Sequence, residues 1–398
     1  MTSKERVLKA IRHKETDKLP VDLGGSLVTG IHIFSYNSLR QALGVSSGLP
    51  VLIDTSQMLA LVEKEVTEVL QVDTVPLMGV YDPMGVKNGV GYKTFSFPNG
   101  LKCLVSKDFN PKQESDGSFY IEKGGNLFCM PSGGFYFDLR RPALKGVKTI
   151  KEITEKFDLS PFSKEEADYY KREALKLKGT DKAVIGEMFA TYEVEFYFGY
   201  EEAYIILFEN KTLIMDFLEL ITDMYIKNFD IFNSSVGNVV DILVVYKDLG
   251  NQLGPSISPD LAREVFFPSM KRFVEYVKTH SDYAIMLHTC GAVYEFIPDI
   301  IDCGFDILNP VQISARGMDP EKLKRDFGKD ICFWGGGVDT QKTLPFCKPD
   351  EIRAEVRKNC SIFAKGGGFV FTPVHNVQAN VPPENVIAAF SEANDFKL

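Results

Sequence analysis

The chain has 398 residues, 44% of them hydrophobic and 25% charged, which is ordinary globular composition with apolar material for a large core. Its 45 lysines and arginines are scattered among 54 acids, and the net charge of −9 argues against nucleic acid as a partner. No apolar run approaches the roughly 20 residues that a membrane span needs.

The first residues, Met1-Thr2-Ser3-Lys4-Glu5-Arg6-Val7-Leu8, open a charged amphipathic helix over 2–13, with Val7, Leu8 and Ile11 on one face. It lacks the apolar segment of a secretory signal. Lys18–Gly25 reads as a short strand ending in a Gly-rich turn, Asp54–Leu70 as a helix, and Val72–Leu77 as another strand. From about 86 to 140 small or polar residues alternate with aromatic ones, and Asn99-Gly100 and Asp116-Gly117 are hairpin signals. This stretch is expected to be an antiparallel β insertion within a single domain covering 1–398. Residues 141–180 are helix-rich and charged. Short apolar strands then alternate with helices: Ala183–Met188, Asp241–Lys247, Tyr283–His288, Asp306–Val311, Ile331–Trp334 and Phe369–Val374. That alternation implies βα units and a parallel sheet. With the two early strands the count reaches eight, which predicts an α/β fold of the closed (β/α)8 TIM-barrel type; a doubly wound open sheet is the alternative. Seven cysteines lie far apart, an odd number without paired spacing, so reduced thiols in a cytoplasm fit better than a disulfide framework.

In such barrels the active site lies at the C-terminal strand ends. Polar residues gather there: Glu187, Asp248, His288 with Cys290, Asn309 with Gln312, Asp339 after Gly335-Gly336-Gly337, and His375 with Asn376. His288-Thr289-Cys290 carries the most information. Residues i and i+2 of a strand point to one side, so an imidazole and a thiol converge, and these are ligands that zinc prefers. His375 is the best third ligand, with Asp248 and Glu187 competing for a fourth place. The competing reading makes Cys290 a small core residue and His288 a hydrogen-bonding one. Gly335–Gly337 and Gly366–Gly368 could approach a phosphate, or could allow close packing. The aromatic run Tyr192–Tyr200 could line an apolar pocket or pack a helix. Cys303, Cys332, Cys347 and Cys360 are read as structural. His13, His32 and His280 are not read as ligands, although His32 could face the cavity.

The segments Leu287-His288-Thr289-Cys290-Gly291, Asp306–Gln312, Phe333–Asp339, Val374–Gln378 and Val381–Asn385 resemble the uroporphyrinogen decarboxylase superfamily, and more narrowly its corrinoid-linked, zinc-dependent methyltransferase branch. Arg12–Val21 and Asp248–Pro259 are similar too. The resemblance implies a (β/α)8 barrel. Decarboxylases of the superfamily bind a multiply carboxylated tetrapyrrole through arginines after the first strand, whereas Asp22–Gly30 holds none. The methyltransferases carry a His-x-Cys pair and a second cysteine on the last strand; here His375 stands at that place. The expected function is methyl transfer between a corrinoid, supplied by a separate protein, and a small thiol or other nucleophile. Zinc would be held by His288, Cys290 and His375. Asp248 and Glu187 would assist, and Asn309, Gln312, Asp339 and Asn376 would orient the substrate. A decarboxylase-type lyase and a non-catalytic ligand-binding barrel are the alternatives.

Overall fold

A computed structural model describes residues 1–45 and 48–398. Seven parallel strands form one sheet in sequential order: β1 (Thr74–Leu77), β2 (Ala183–Thr191), β3 (Ile242–Tyr246), β4 (Ala284–His288), β5 (Ile307–Asn309), β6 (Cys332–Trp334) and β7 (Phe369–Val370). β3 reads Ile-Leu-Val-Val-Tyr and is buried throughout, as expected of a parallel strand covered on both faces.

Residues 20–22 take the eighth place. Val21 bridges Phe371 in parallel, the Asp22 N–H donates to the Phe371 carbonyl at 2.8 Å, and the Asp73 N–H donates to the Val21 carbonyl at 2.8 Å. The sheet therefore closes between β1 and β7 into a (β/α)8 barrel. The expected strand over 18–25 contracts to this single bridge. Pro20 offers no N–H, and Gly24, at φ +76°, turns the chain away from the wall.

Inward positions alternate with outward ones. Ile242, Val244 and Tyr246 of β3, Met286 of β4, Ile307 of β5 and Trp334 of β6 pack in the barrel with Val7, Ala10 and Ile11. Those last three belong to helix α1 (Ser3–Ile11), which plugs the N-terminal end. Thr2 and Glu5 form its capping box, and Arg6 ties it to the wall through Asp73 at 2.5 Å. With that end closed, access to the interior is from the C-terminal strand ends.

Within 86–140, Tyr92–Ser96 pairs with Lys102–Ser106 across Asn99-Gly100, and 112–141 forms a four-stranded antiparallel sheet. The loop before its last strand brings Phe135 and Tyr136 to the barrel mouth, where the Tyr136 hydroxyl donates to Gln378. The helix expected over 54–70 is confined to Lys64–Val69. Asp54 Oδ1 accepts the N–H groups of Ser56 and Gln57 at 2.7 and 3.1 Å, and this Asx turn folds Leu59–Ala60 back onto Leu52–Asp54. Helix α2 (Ile33–Ala42) went unforeseen because its cap is the His32 imidazole, whose Nδ1 accepts the Phe34 N–H at 3.1 Å, rather than a hydroxyl or carboxylate.

Candidate metal centre

β4 supplies the first two ligand atoms by simple alternation. Met286 faces inward, so His288 does too, and Cys290 continues the series two residues on. Cys290 Sγ lies 3.6 Å from His288 Nε2. His375 comes from the segment after β7, and its ring centre is 5.3 Å from that of His288 at an interplanar angle of 69°. One ligand atom from each of His288, Cys290 and His375 falls within 4.8 Å of the others. Donors sharing a tetrahedral zinc are separated by about 3–4 Å, given bonds of about 2.0–2.3 Å, so small side-chain rotations bring the three into register.

The electrostatics favour the same use. Asn309 Nδ2 donates to the Trp334 carbonyl at 2.9 Å, which turns Oδ1 toward His288 Nδ1 at 2.7 Å. His288 therefore carries its proton on Nδ1 and leaves a lone pair on Nε2, facing Cys290. Burial lowers the pKa of His288, and lowers that of His375 to about 4, so both rings are neutral at physiological pH. The Cys290 thiol is raised well above its ordinary value, first by burial and then by the Asp248 charge. A dry site beside a carboxylate cannot hold a bare thiolate, but a cation there reverses that balance. Two neutral imidazoles and a thiol awaiting a positive partner fit zinc. His375 is held differently from His288: its Nδ1 accepts the Asn376 N–H at 2.8 Å, so in the neutral ring Nε2 bears the hydrogen. Ligation by His375 requires exchanging that short local hydrogen bond.

The two carboxylates lie outside the cluster. Asp248 Oδ1 accepts the Cys290 N–H at 2.7 Å and so braces the ligand loop. Glu187 sits lower in the barrel, where Gly186 is level with Leu243 and Ile285. Its Oε2 accepts the Tyr246 hydroxyl at 2.5 Å, and burial raises its pKa to about 7. Gln312 lines a cavity and accepts the Gly291 N–H at 2.7 Å. The Asn376 amide is taken up by the Gly30 N–H, the Leu27 carbonyl and Gln57. Asp339 accepts the Gln341 N–H at 3.0 Å and lines neither cavity described below. Of the four residues expected to orient substrate, Gln312 alone is described at a cavity wall.

Two cavities meet at the cluster. One, of about 620 Å³, is lined by Phe135, Gln252, Gln312, Phe346 and Gln378 among others; the second, of about 450 Å³, by Phe137, Glu193, Glu195, Tyr200 and Asp248 among others. Cys290 and His375 line both. Gly291 permits the junction: it holds φ +91°, and a Cβ there would stand 2.4 Å from the Gly250 carbonyl carbon. Gly337 has a packing role, since a Cβ would stand 2.3 Å from the Phe371 ring.

The second cavity holds a group that the sequence did not single out. Lys247 Nζ is 3.0 Å from Glu195 and 3.2 Å from Glu193, and its side chain is 2% exposed. Burial raises the Glu193 pKa to about 8. The signal was Glu193-x-Glu195 just after β2, within a run read for its aromatic residues alone. His32 proves to be a buried helix cap. His13 contacts the Gly328 carbonyl at 3.1 Å and His280 that of Tyr276 at 2.8 Å.

Residues 142–396 match the sequence model of the uroporphyrinogen decarboxylase (URO-D) family. The chain belongs to that family. Two curated relatives, both methylcobamide:CoM methyltransferases named MtaA, one from Methanosarcina barkeri strain Fusaro and one from Methanosarcina barkeri, are 24% and 22% identical over 180 residues. Those residues are 43% of this chain and 51% of each relative, so the match spans about half the length of the curated relatives. The solved structure of a methyltransferase from Methanosarcina mazei aligns over 100% of this chain and 99% of its own at a TM-score of 0.59 and 19% identity, which shows a shared fold. The URO-D match begins just after the 86–140 insertion.

Proposed function

We propose that this protein is a zinc-dependent methyltransferase that moves a methyl group between a corrinoid, carried on a separate protein, and a small thiol or other nucleophile. The observation that carries the reading is the convergence of His288, Cys290 and His375 at the open end of the barrel, between two cavities. Kinship with MtaA supports the reaction class. Zinc, when bound, acts as a Lewis acid that lowers the pKa of a substrate thiol or hydroxyl.

The chain's own residues do the rest. His288 offers Nε2 because Asn309 fixes its tautomer, and Cys290 is held at its post by the Asp248 carboxylate and the Gly291 turn. His375 is the third ligand. Gln312 orients substrate from the wall of the larger cavity, and the aromatic residues around that mouth receive the corrinoid carrier. A cytoplasmic setting accords with seven unpaired cysteines. Among the described residues neither cavity is lined by an arginine or lysine, so nothing supports decarboxylation of a multiply carboxylated tetrapyrrole.

The test is zinc content by elemental analysis of protein purified without added metal and after zinc loading, wild type against Cys290→Ser. Stoichiometric zinc in the wild type and its loss in the variant support the reading. A wild type that neither contains nor takes up zinc rejects it. Incubation of the zinc-loaded wild type with a methylated corrinoid protein and candidate thiols, followed by the corrinoid's visible spectrum and the methyl thioether formed, then tests the transfer.

A further inference from the structure

The smaller cavity has a one-sided charge. Asp138, Glu193, Glu195 and Asp248 line it, and no lysine or arginine does so among the described residues. The nearest cation, Lys247, lies behind the wall, 2% exposed, with Glu193 and Glu195 at 3.2 and 3.0 Å. It is engaged by its own partners and unavailable to a ligand. Arg140 reaches Asp138 at 3.8 Å but does not line the cavity. Even with Glu193 holding its proton at neutral pH, as its pKa of about 8 implies, Lys247 offsets Glu195 and Arg140 faces Asp138, while Asp248 has no ion-pair partner among the described residues. Aromatic faces come from Phe128, Phe137, Phe196, Tyr200 and Tyr246, beside aliphatic Leu27, Val28, Pro83 and Leu139. Carboxylates with ring faces and without a free cation are the environment that binds alkylammonium ions, through Coulomb attraction and cation–π contact. In the metal-free protein an anionic ligand would find no positive partner in this wall and would lose its hydration.

We propose that the cavity lined by Glu195, Asp248 and Tyr200 selects a substrate bearing an ammonium group, held beside the His288–Cys290–His375 cluster. A volume of about 450 Å³ suits a small molecule of that kind. This deepens the methyltransferase reading by naming the charge of the small substrate, and it rests on that reading only for what is transferred there.

The test uses the full-length metal-free protein and three probes of matched shape: choline, its neutral isostere 3,3-dimethylbutan-1-ol, and the anion 3,3-dimethylbutanoate, titrated by calorimetry and ligand-observed NMR. Choline is expected to bind at least tenfold more tightly than the alcohol, with the anion weakest. Glu195→Gln and Tyr200→Ala should each reduce choline affinity several-fold and leave the alcohol unchanged; Tyr200 is 74% exposed, so its truncation spares the core. Equal binding of the three probes, no choline binding, tighter binding of the anion, or an unchanged preference in both variants overturns the proposal. Zinc-loaded protein is then titrated with 2-aminoethanethiol and 2-mercaptoethanesulfonate, and the amine should bind more tightly. Failure to take up zinc rejects the methyltransferase reading and leaves the ranking of the three metal-free probes as a separate result.

Discussion

Asn309 Oδ1 stands 2.7 Å from His288 Nδ1, and it can face no other way because the Asn309 Nδ2 donates to the Trp334 carbonyl. This pair converts a generic imidazole into one with a defined donor face. Asn309→Ala should lower zinc affinity by about 10- to 100-fold, the usual cost of removing a ligand's orienting partner. It should also destabilise the metal-free protein by about 1–3 kcal/mol, since the His288 N–H is left buried without an acceptor. Zinc competition against a chromophoric chelator reads the first effect and urea unfolding the second. Unchanged affinity would show that Asn309 serves packing alone.

The third ligand makes a sharper prediction. Because His375 Nδ1 already accepts the Asn376 N–H, ligation by His375 breaks that bond or shifts the ring hydrogen between nitrogens, whereas Cys290, whose Sγ contacts His288 Nε2 at 3.6 Å, has only to lose its thiol proton. His375→Ala should therefore weaken zinc binding less than Cys290→Ala does. His375→Cys, which adds a thiolate free of that constraint, should tighten it by about tenfold or more. The same chelator competition decides the order, and a His375→Cys variant that binds zinc more weakly than wild type contradicts it.

The barrel and the convergence of His288, Cys290 and His375 were legible because both follow from short-range periodicity and from position at strand ends. Alternation in Ala284–His288 set the side that His288 and Cys290 share, and the recurring βα pattern fixed eight wall positions. What escaped depends on long-range pairing. Asp54–Leu70 carries helical apolar spacing, yet the Asp54 side chain reverses the chain and Leu59 pairs back with Asp54. Asn376 looked like a substrate ligand by its position at a strand end, but its amide is taken up by Gly30 and Leu27, more than 340 residues away in sequence. The Glu193–Lys247–Glu195 group joins the end of β2 to the residue after β3, and no local pattern couples those segments.

That buried group should behave as a unit. Lys247→Met strips the positive partner from two carboxylates in a dry wall, at a cost of about 3–5 kcal/mol when both are ionised. The cost should be smaller at pH 6 than at pH 8.5, because Glu193, with its pKa near 8, takes up a proton instead. Adding Glu195→Gln to Lys247→Met should restore part of the loss. Urea unfolding of the single and double variants at both pH values measures the coupling. A Lys247→Met cost that does not change with pH would mean that the group is not linked electrostatically.

Glu187 gives the metal-free barrel a pH dependence whose sign can be fixed. Its pKa rises from the ordinary 4.5 to about 7 on folding, so the folded state binds the proton more tightly than the unfolded chain. The resulting stability is fully present below 4.5 and is lost as pH rises through 7. A shift of that size is worth roughly 3 kcal/mol in all, of which roughly 1 kcal/mol disappears between pH 6.5 and 8.5. Asp82, also raised to about 7, acts in the same direction. His375 acts oppositely: its pKa falls to about 4, so its contribution is present above 6.5 and is lost as pH drops toward 4. Below pH 6.5 the two effects oppose each other, whereas above it the buried carboxylates act alone. The metal-free wild type should therefore lose stability from pH 6.5 to 8.5, and Glu187→Gln, which cannot ionise, should lose about 1 kcal/mol less over the same interval. Equal slopes for wild type and variant in urea unfolding would show that Glu187 is already ionised at pH 6.5.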